Sequence, residues 1–251
     1  MFSQFFKKKP NVESAAWRVP PGERIYAVGD VHGRRDLLDG VARWIAADMA
    51  RDDARALTIF LGDYVDRGPD SRGVLERLSG GDFPTPVRAL RGNHEEMLLK
   101  FLDDETGLDS WRRYGGLETL NSYDVRVADA MRGQNYDVAR EELRARLPDR
   151  HLAFLEGLAL FAEIGDYYFC HAGVRPGVPL AEQQSSDLLW IRGEFLNFED
   201  SFGKRVVHGH TPVEKPDVRP NRINIDTGAF VSGALTCLAL DDDEVRLFIA
   251  R

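Results

Sequence analysis

Residues 56–68 read Ala-Leu-Thr-Ile-Phe-Leu-Gly-Asp-Tyr-Val-Asp-Arg-Gly. The run Ala56–Leu61 predicts a short buried strand. Gly62 to Gly68 predicts a loop carrying two carboxylates and an arginine between glycines that let the backbone turn sharply. The same grammar precedes and follows it. Arg24–Gly29 is an apolar run ending at Asp30-Val31-His32-Gly33, and Val87–Leu90 runs into Arg91-Gly92-Asn93-His94-Glu95. Between them, Asp36–Arg51 places Leu37, Leu38, Val41, Trp44, Ile45 and Met49 at helical spacing, and a shorter helix is expected near Asp70–Leu78. Three strand–loop–helix units imply an α/β sheet with helices on its faces, whose strand ends converge on a ligand crevice.

Beyond this the pattern changes. Residues from about 96 to 160 show helical periodicity, charges and Gly115-Gly116, and predict a helical insertion or cap within the domain. Strand-like runs return at Tyr167–Cys170, Arg205–Val207, Asn221–Ile225, Ala234–Leu240 and Val245–Ile249. With little helix between them, all five are expected in a second sheet, mixed or antiparallel. The expected architecture is α/β, two sheets packed face to face with helices outside, in one domain over residues 22–251. Residues 1–21 are expected to form a loosely ordered leader ending in Pro20-Pro21. Its phenylalanines precede three lysines, the reverse of a signal peptide, so the alternatives are a frayed tail and a weak membrane-surface contact.

Composition narrows the function. Basic residues number 33 and acidic ones 41, a net charge of −8, which argues against a general nucleic-acid binder. Anionic substrates remain open, because a few metal ions and arginines can reverse the field locally. Two cysteines make no disulfide framework, so a cytoplasmic, reducing location is expected. No apolar run approaches the ~20 residues that span a bilayer.

The chain has six histidines, and five of them fall in glycine-bearing loops at strand ends: His32, His94, His171, His208 and His210. The sixth, His151, lies in the insertion and reads as a solvated or core histidine. A single strand-end Asp is an ordinary helix cap, and a single histidine is ordinarily structural. Five such loops together are hard to explain as caps. Asp, Asn and His without cysteine suit Mn, Fe or Zn. The ligands outnumber what one ion takes, and a carboxylate such as Asp63 could bridge two, the usual machinery for phosphate-ester hydrolysis. Arg67 beside them supplies a fork-shaped donor for an anion.

In this order GDVHG, GDYVDRG, GNHE, HAG and HGHTP, the sequence resembles the calcineurin-like metallophosphoesterases, in particular the phosphoprotein phosphatase branch, over about residues 25–240. The resemblance implies an αββα sandwich with a dinuclear centre between its sheets. It implies that Asp30 and His32 bind a first metal, that Asp63 bridges, and that Asn93, His171 and His210 complete the second. It implies phosphate binding by Arg67 and Asn93, and a general acid His94 oriented by Asp66. Trp190-Ile191-Arg192 resembles the branch's Trp-x-Arg motif, giving Arg192 a place on the phosphate. The branch's ligand in HGHTP is His210; His208 reads as a packing residue at the strand end. The implied reaction is in-line attack on phosphorus by a hydroxide on the metal pair, without a phosphoenzyme.

Three functions are weighed. The first is a Ser/Thr protein phosphatase acting on a phosphorylated protein or small phosphoester, with two divalent ions, Mn before Fe or Zn. The second is a hydrolase similar to the symmetrical diadenosine tetraphosphate enzymes, which Asp226-Thr227-Gly228 and Ala234–Leu238 also resemble. That branch lacks the second aspartate of GDxVDRG and ends its next motif in GNHD, so Asp66 and Glu95 favour the first. The third is a non-catalytic metal-bound scaffold, which has no need of His94 and Arg67. The insertion is expected to border the site and set substrate choice without supplying chemistry. Trp111, Arg112, Arg113 and Tyr114 could grip a phosphate-bearing peptide or stack on an adenine, the alternative being that Trp111 and Tyr114 pack into the insertion's own small core.

Overall fold

The computed structural model describes residues 17–251. Strand β1 (Glu23–Val28), helix α1 (Arg35–Met49), β2 (Arg55–Phe60), α2 (Ser71–Ser79) and β3 (Val87–Ala89) follow the expected alternation. Helices then fill residues 93–156: α3 (Asn93–Asp103), α4 (Leu108–Trp111), α5 (Gly116–Ser122), α6 (Ala128–Met131), α7 (Tyr136–Arg146) and α8 (Asp149–Glu156). The remaining strands are β4 (Phe161–Ile164), β5 (Tyr167–Cys170), β6 (Arg205–His208), β7 (Asp217–Val218), β8 (Arg222–Asn224), β9 (Leu235–Asp241) and β10 (Glu244–Ala250), with α9 (Ser185–Trp190) between β5 and β6.

Two five-stranded sheets result, ordered β10-β9-β1-β2-β3 and β4-β5-β6-β8-β7. Strands β1, β2 and β3 are parallel, as are β5, β6 and β8. One expectation is overturned. Residues 234–240 and 245–249 do not join the second sheet: β9 pairs antiparallel with β1, and β10 with β9. A hairpin after β8 can return to the first sheet because β1 has a free side away from β2. Strands β4 and β7 carried no clear sequence signal and add the antiparallel edges of the second sheet.

The period of two along each strand sorts side chains between layers. Ile25 and Ala27 of β1, Ile59 of β2 and Leu238 and Leu240 of β9 meet Tyr167 and Phe169 of β5, Val207 and Ile223 between the sheets. Their neighbours Tyr26, Val28, Phe60 and Ala239 face outward onto Leu38, Val41 and Ile45 of α1. On the far side, Tyr168, Cys170 and Val206 pack on Leu188 and Phe195. The insertion shares the core of the first sheet's outer face, through Leu98, Phe101, Trp111 and Leu155.

The leader expectation needs correction at its end. Trp17 packs against the apolar layer between the sheets and donates its indole N–H to the Pro220 carbonyl, 2.9 Å. Val19 is buried, and its N–H bonds the Asp242 carbonyl. The rest of the expected leader lies outside the described residues.

Candidate active site

Parallel strands of both sheets end at one place, so the loops after β1, β2, β3, β5, β6 and β8 meet there. They bring together Asp30, His32, Asp63, Asp66, Arg67, Asn93, His94, His171 and His210, all buried except Arg67, which is half-buried. The loops are laced by backbone: Val31 and His32 N–H both bond the Asp63 carbonyl, and Gly33 N–H bonds that of Tyr64. The turns are tight enough that His32, Asp63, Asp66, Arg67 and His210 all have positive φ, from 44 to 72°. That conformation costs a non-glycine residue about 1 kcal/mol or more. Gly92 sits where a side chain would collide with the carboxylate of Asp63.

Tautomers follow from the second ring nitrogen of each histidine. His32 Nδ1 donates to the Val65 carbonyl at 2.8 Å and His171 Nδ1 to that of Leu61 at 3.0 Å. Each therefore turns a lone pair on Nε2 into the site. His32 Nε2 lies 3.5 Å from Asp63 Oδ2 and accepts from Arg67 Nη1 at 3.2 Å. His171 Nε2 faces Asn93 Oδ1 at 3.0 Å, His210 Nδ1 at 3.2 Å and Asp63 Oδ1 at 3.4 Å. At most one proton, on His210 Nδ1, is available among these acceptors. Such crowding repels unless positive charge lies within it.

Two donor groups could hold a metal ion: His32, Asp63 and His94, and Asp63, His171 and His210. Asp63 belongs to both. Asp30 adjoins them, one oxygen accepting the His210 N–H at 3.0 Å and the other, Oδ1, buried without a partner. The Nε2 atoms of His94 and His210 are likewise buried and unpartnered. Orphaned lone pairs on hard oxygens and imidazoles, with no thiolate, fit divalent cations.

Electrostatics agree. Burial pushes His32 down to about 3, despite the Asp63 charge, so its ring is neutral and able to ligate. Burial and the charges of Asp226 and Asp63 push Asp30 well above the usual carboxylate range. Burial also disfavours charge on Asp63, but positive charge among the imidazoles around it holds the carboxyl down, and His94 is the one of them that favours its charged form. His94 differs from the others. Burial again opposes its charged form, yet Asp63 and the bonded Asp66 prevail and raise it. Its Nδ1 lies 2.6 Å from Asp66 Oδ2, and its Nε2 3.8 Å from Asp63 Oδ2.

Arg67 stacks on Phe230, 5.0 Å from the ring centroid. Arg192 is exposed on the rim; burial lowers His171 and His210, and the Arg192 charge adds a smaller contribution. Trp190, two residues before it, meets the His210 ring edge-on at 6.1 Å and Tyr114 at 6.3 Å, and Tyr114 meets His94 at 6.2 Å. Tyr114 (45% exposed) and Trp190 (38%) therefore border the opening. Arg112 and Arg113 both pair with Asp109. His208 is apart from the cluster, edge-on to Phe195 at 4.8 Å with Nδ1 on the Gly209 carbonyl. His151 is a core histidine, held between the Tyr123 hydroxyl at 2.7 Å and Glu76 at 3.1 Å.

Sequence reasoning gave Glu95 no structural part. Fully buried, it accepts the N–H groups of Asp63 (2.8 Å), Tyr64 (2.7 Å), Val65 (3.3 Å) and Gly92 (2.9 Å), and so shapes the Asp63 turn. Its place three residues past Gly92, at the start of α3, was a legible capping signal. Trp111 and Thr119, which donate to Asp66, left no signal near it in the chain.

Comparison with known proteins supplies the family. Serine/threonine-protein phosphatase 1 of Salmonella typhimurium is 28% identical over 242 residues, covering 90% of this chain and 93% of that protein. Bis(5'-nucleosyl)-tetraphosphatase PrpE [asymmetrical] of Oceanobacillus iheyensis is 25% identical over 241 residues, 88% and 90% of the two chains. A crystal structure described as that of a candidate diadenosine tetraphosphatase shares the fold, with TM-score 0.63 at 19% identity over 97% of this chain and 96% of that one. The family model for calcineurin-like phosphoesterases matches residues 23–245, the span that carries every loop of the site and every strand but most of β10, and the chain belongs to that family.

Proposed function

We propose that this chain is a metal-dependent phosphomonoester hydrolase of the serine/threonine protein phosphatase type. Asp30, His32, Asp63, Asn93, His171 and His210 would hold two divalent cations, with Asp63 shared, Mn before Fe or Zn. Bound there, such ions offset the charge of a phosphate and make water a nucleophile at neutral pH. The chain's own residues do the rest. Arg67, Arg192 and the Asn93 amide hold the phosphate oxygens and stabilise their charge as it grows. His94 gives the proton on Nε2 to the leaving oxygen, and Asp66 keeps the ring in place through Nδ1.

The observation that carries this reading is His94 itself, with Nδ1 on a buried carboxylate and Nε2 open beside Asp63. A serine or threonine alkoxide is a poor leaving group until protonated, and a non-catalytic scaffold has no use for the arrangement. Similarity to the bacterial phosphatases adds support. Two free buried cysteines support a cytoplasmic location; among the described residues no helix is long and apolar enough to cross a membrane.

A second reading, hydrolysis of dinucleoside tetraphosphates, draws on the PrpE relatives and on Tyr114 and Trp190, whose exposed rings could receive a base. Those relatives are named asymmetrical, where the sequence motifs pointed to the symmetrical enzymes. Mn-loaded protein assayed on phosphoserine and phosphothreonine peptides beside diadenosine tetraphosphate separates the two. The phosphatase reading requires peptide turnover that exhaustive chelation abolishes. Turnover of the dinucleotide alone would replace it with the second reading.

A further inference from the structure

The insertion reaches the chemistry from behind. Asp66 is completely buried, and three donors converge on its carboxylate. His94 Nδ1 and Trp111 Nε1 both reach Oδ2, at 2.6 and 2.7 Å, and Thr119 Oγ1 reaches Oδ1 at 2.6 Å. Trp111 ends α4 and Thr119 lies in α5, which are 45 and 53 residues from Asp66 in the chain. The direction of every proton is fixed. A carboxylate only accepts, so the single hydroxyl proton of Thr119 goes to Asp66. The Thr119 oxygen is then free to accept the Asp66 N–H at 2.8 Å and the hydroxyl of Ser71 at 3.0 Å. Asp66 is thereby held through backbone and side chain at once, in a left-handed conformation of φ 72° that it would not choose alone. Arg67 is tied to the same segment, its N–H on the Gly115 carbonyl at 3.2 Å.

We propose that Trp111 and Thr119 are positioning residues for leaving-group protonation, fixing Asp66 so that His94 presents Nε2–H to the departing oxygen. This rests on His94 as the acid. As the P–O bond breaks, its electron pair goes to the leaving oxygen, which takes the Nε2 proton; water supplies the new P–O bond. The indole N–H of Trp111 stops the carboxylate from rotating about its own axis, and the Thr119 hydroxyl stops it from sliding along the His94 edge. Neither residue touches the substrate. Their loss should cost only substrates that need the proton.

The test is a leaving-group comparison on Mn-loaded protein. Trp111→Phe keeps the ring packed against Phe101 but removes the N–H, and Thr119→Val keeps the shape but removes the hydroxyl. For a phosphoserine peptide, kcat should fall about 10–100-fold in each, the range for removing a partner that orients a site residue, with KM unchanged. For 2,4-dinitrophenyl phosphate, whose leaving group needs no proton, kcat should stay within about 3-fold of wild type. Thr119→Ser should restore the peptide rate. Equal losses on both substrates, or none on either, would overturn the proposal and leave both residues as packing. His94→Asn in the same panel keeps the two levels apart. If it discriminates between leaving groups and the positioning variants do not, only this inference fails. If His94→Asn loses equally on both substrates, the assignment of His94 as the acid fails and takes the inference with it.

Discussion

Chemistry and strain coincide at single residues here. Five site residues hold positive φ, and their N–H groups are held by partners distant in the chain, side chains for Asp63, Asp66 and His210 and backbone carbonyls for His32 and Arg67. Glu95 is the plainest case. Burial and the Asp63 charge push its carboxyl up to about 7, while the N–H groups it accepts pull the other way. Glu95→Gln would set an amide NH2 against backbone N–H groups, leaving buried donors unpaired. We expect a stability loss of about 2 kcal/mol together with reduced metal content; thermal melting and metal analysis that both match wild type would dismiss the role. Asp63→Asn and His94→Asn should both abolish turnover, for different reasons. Asp63 is common to both donor groups, so its variant should lose metal. His94→Asn should keep metal while kcat for a phosphopeptide falls by roughly 10²–10⁴-fold. Because His94 also stands within reach of His32 and Asp63, loss of metal there would make it a ligand instead. The residues that meet were legible from sequence because each stands within two residues of a glycine in a strand-end loop. The groups behind them were not, since a contact such as Trp111 to Asp66 spans 45 residues and depends on the insertion's fold.

Elements were legible where their period was strong. Strands β1, β2 and β5 match their continuous apolar runs because both faces are buried, and helices α1 and α2 match the helical spacing because one face of each is. Partnership was not legible. Nothing in residues 234–249 says which sheet a hairpin will join, and the decision falls to the open side of β1. Short edge strands such as β7, two residues long, give no periodicity to read. Between elements, the segment after α9 carries the site's outermost cation. Arg192 is exposed, and to the burial that depresses His171 and His210 its charge adds a smaller contribution. Arg192→Ala should raise KM and weaken inhibition by inorganic phosphate, by about 1.5–3 kcal/mol for a charged hydrogen bond. An unchanged phosphate inhibition constant would return it to the surface.

At the scale of the whole molecule, the first sheet is fastened to α1 by a buried ion cluster far from the site. Asp48 accepts both Arg246 guanidinium nitrogens, at 2.7 and 2.8 Å, and the Tyr26 hydroxyl at 2.8 Å. The Arg246 hydrogen bonds, with Tyr26 and Arg51, overcome burial and hold its carboxyl well below the usual range. A depressed carboxyl stabilises the fold above its unfolded pKa of about 3.9 and loses that contribution as pH falls through its folded value. Asp48→Asn should therefore cost about 3 kcal/mol at pH 7, and the gap from wild type should begin to narrow only as pH falls below about 4. Urea unfolding of metal-free protein at both pH values checks this, and a gap independent of pH would refute it. The same sheet has a consequence for how the chain is made. Arg24 of β1 bonds Asp241 of β9 across 217 residues, so the central strand keeps one bare edge until β9 has left the ribosome. A nascent chain in that interval offers an apolar, unpaired strand to any neighbour. Synthesis halted before β9 should yield insoluble protein, and release of the β9–β10 hairpin is the moment at which the chain becomes safe from its own siblings.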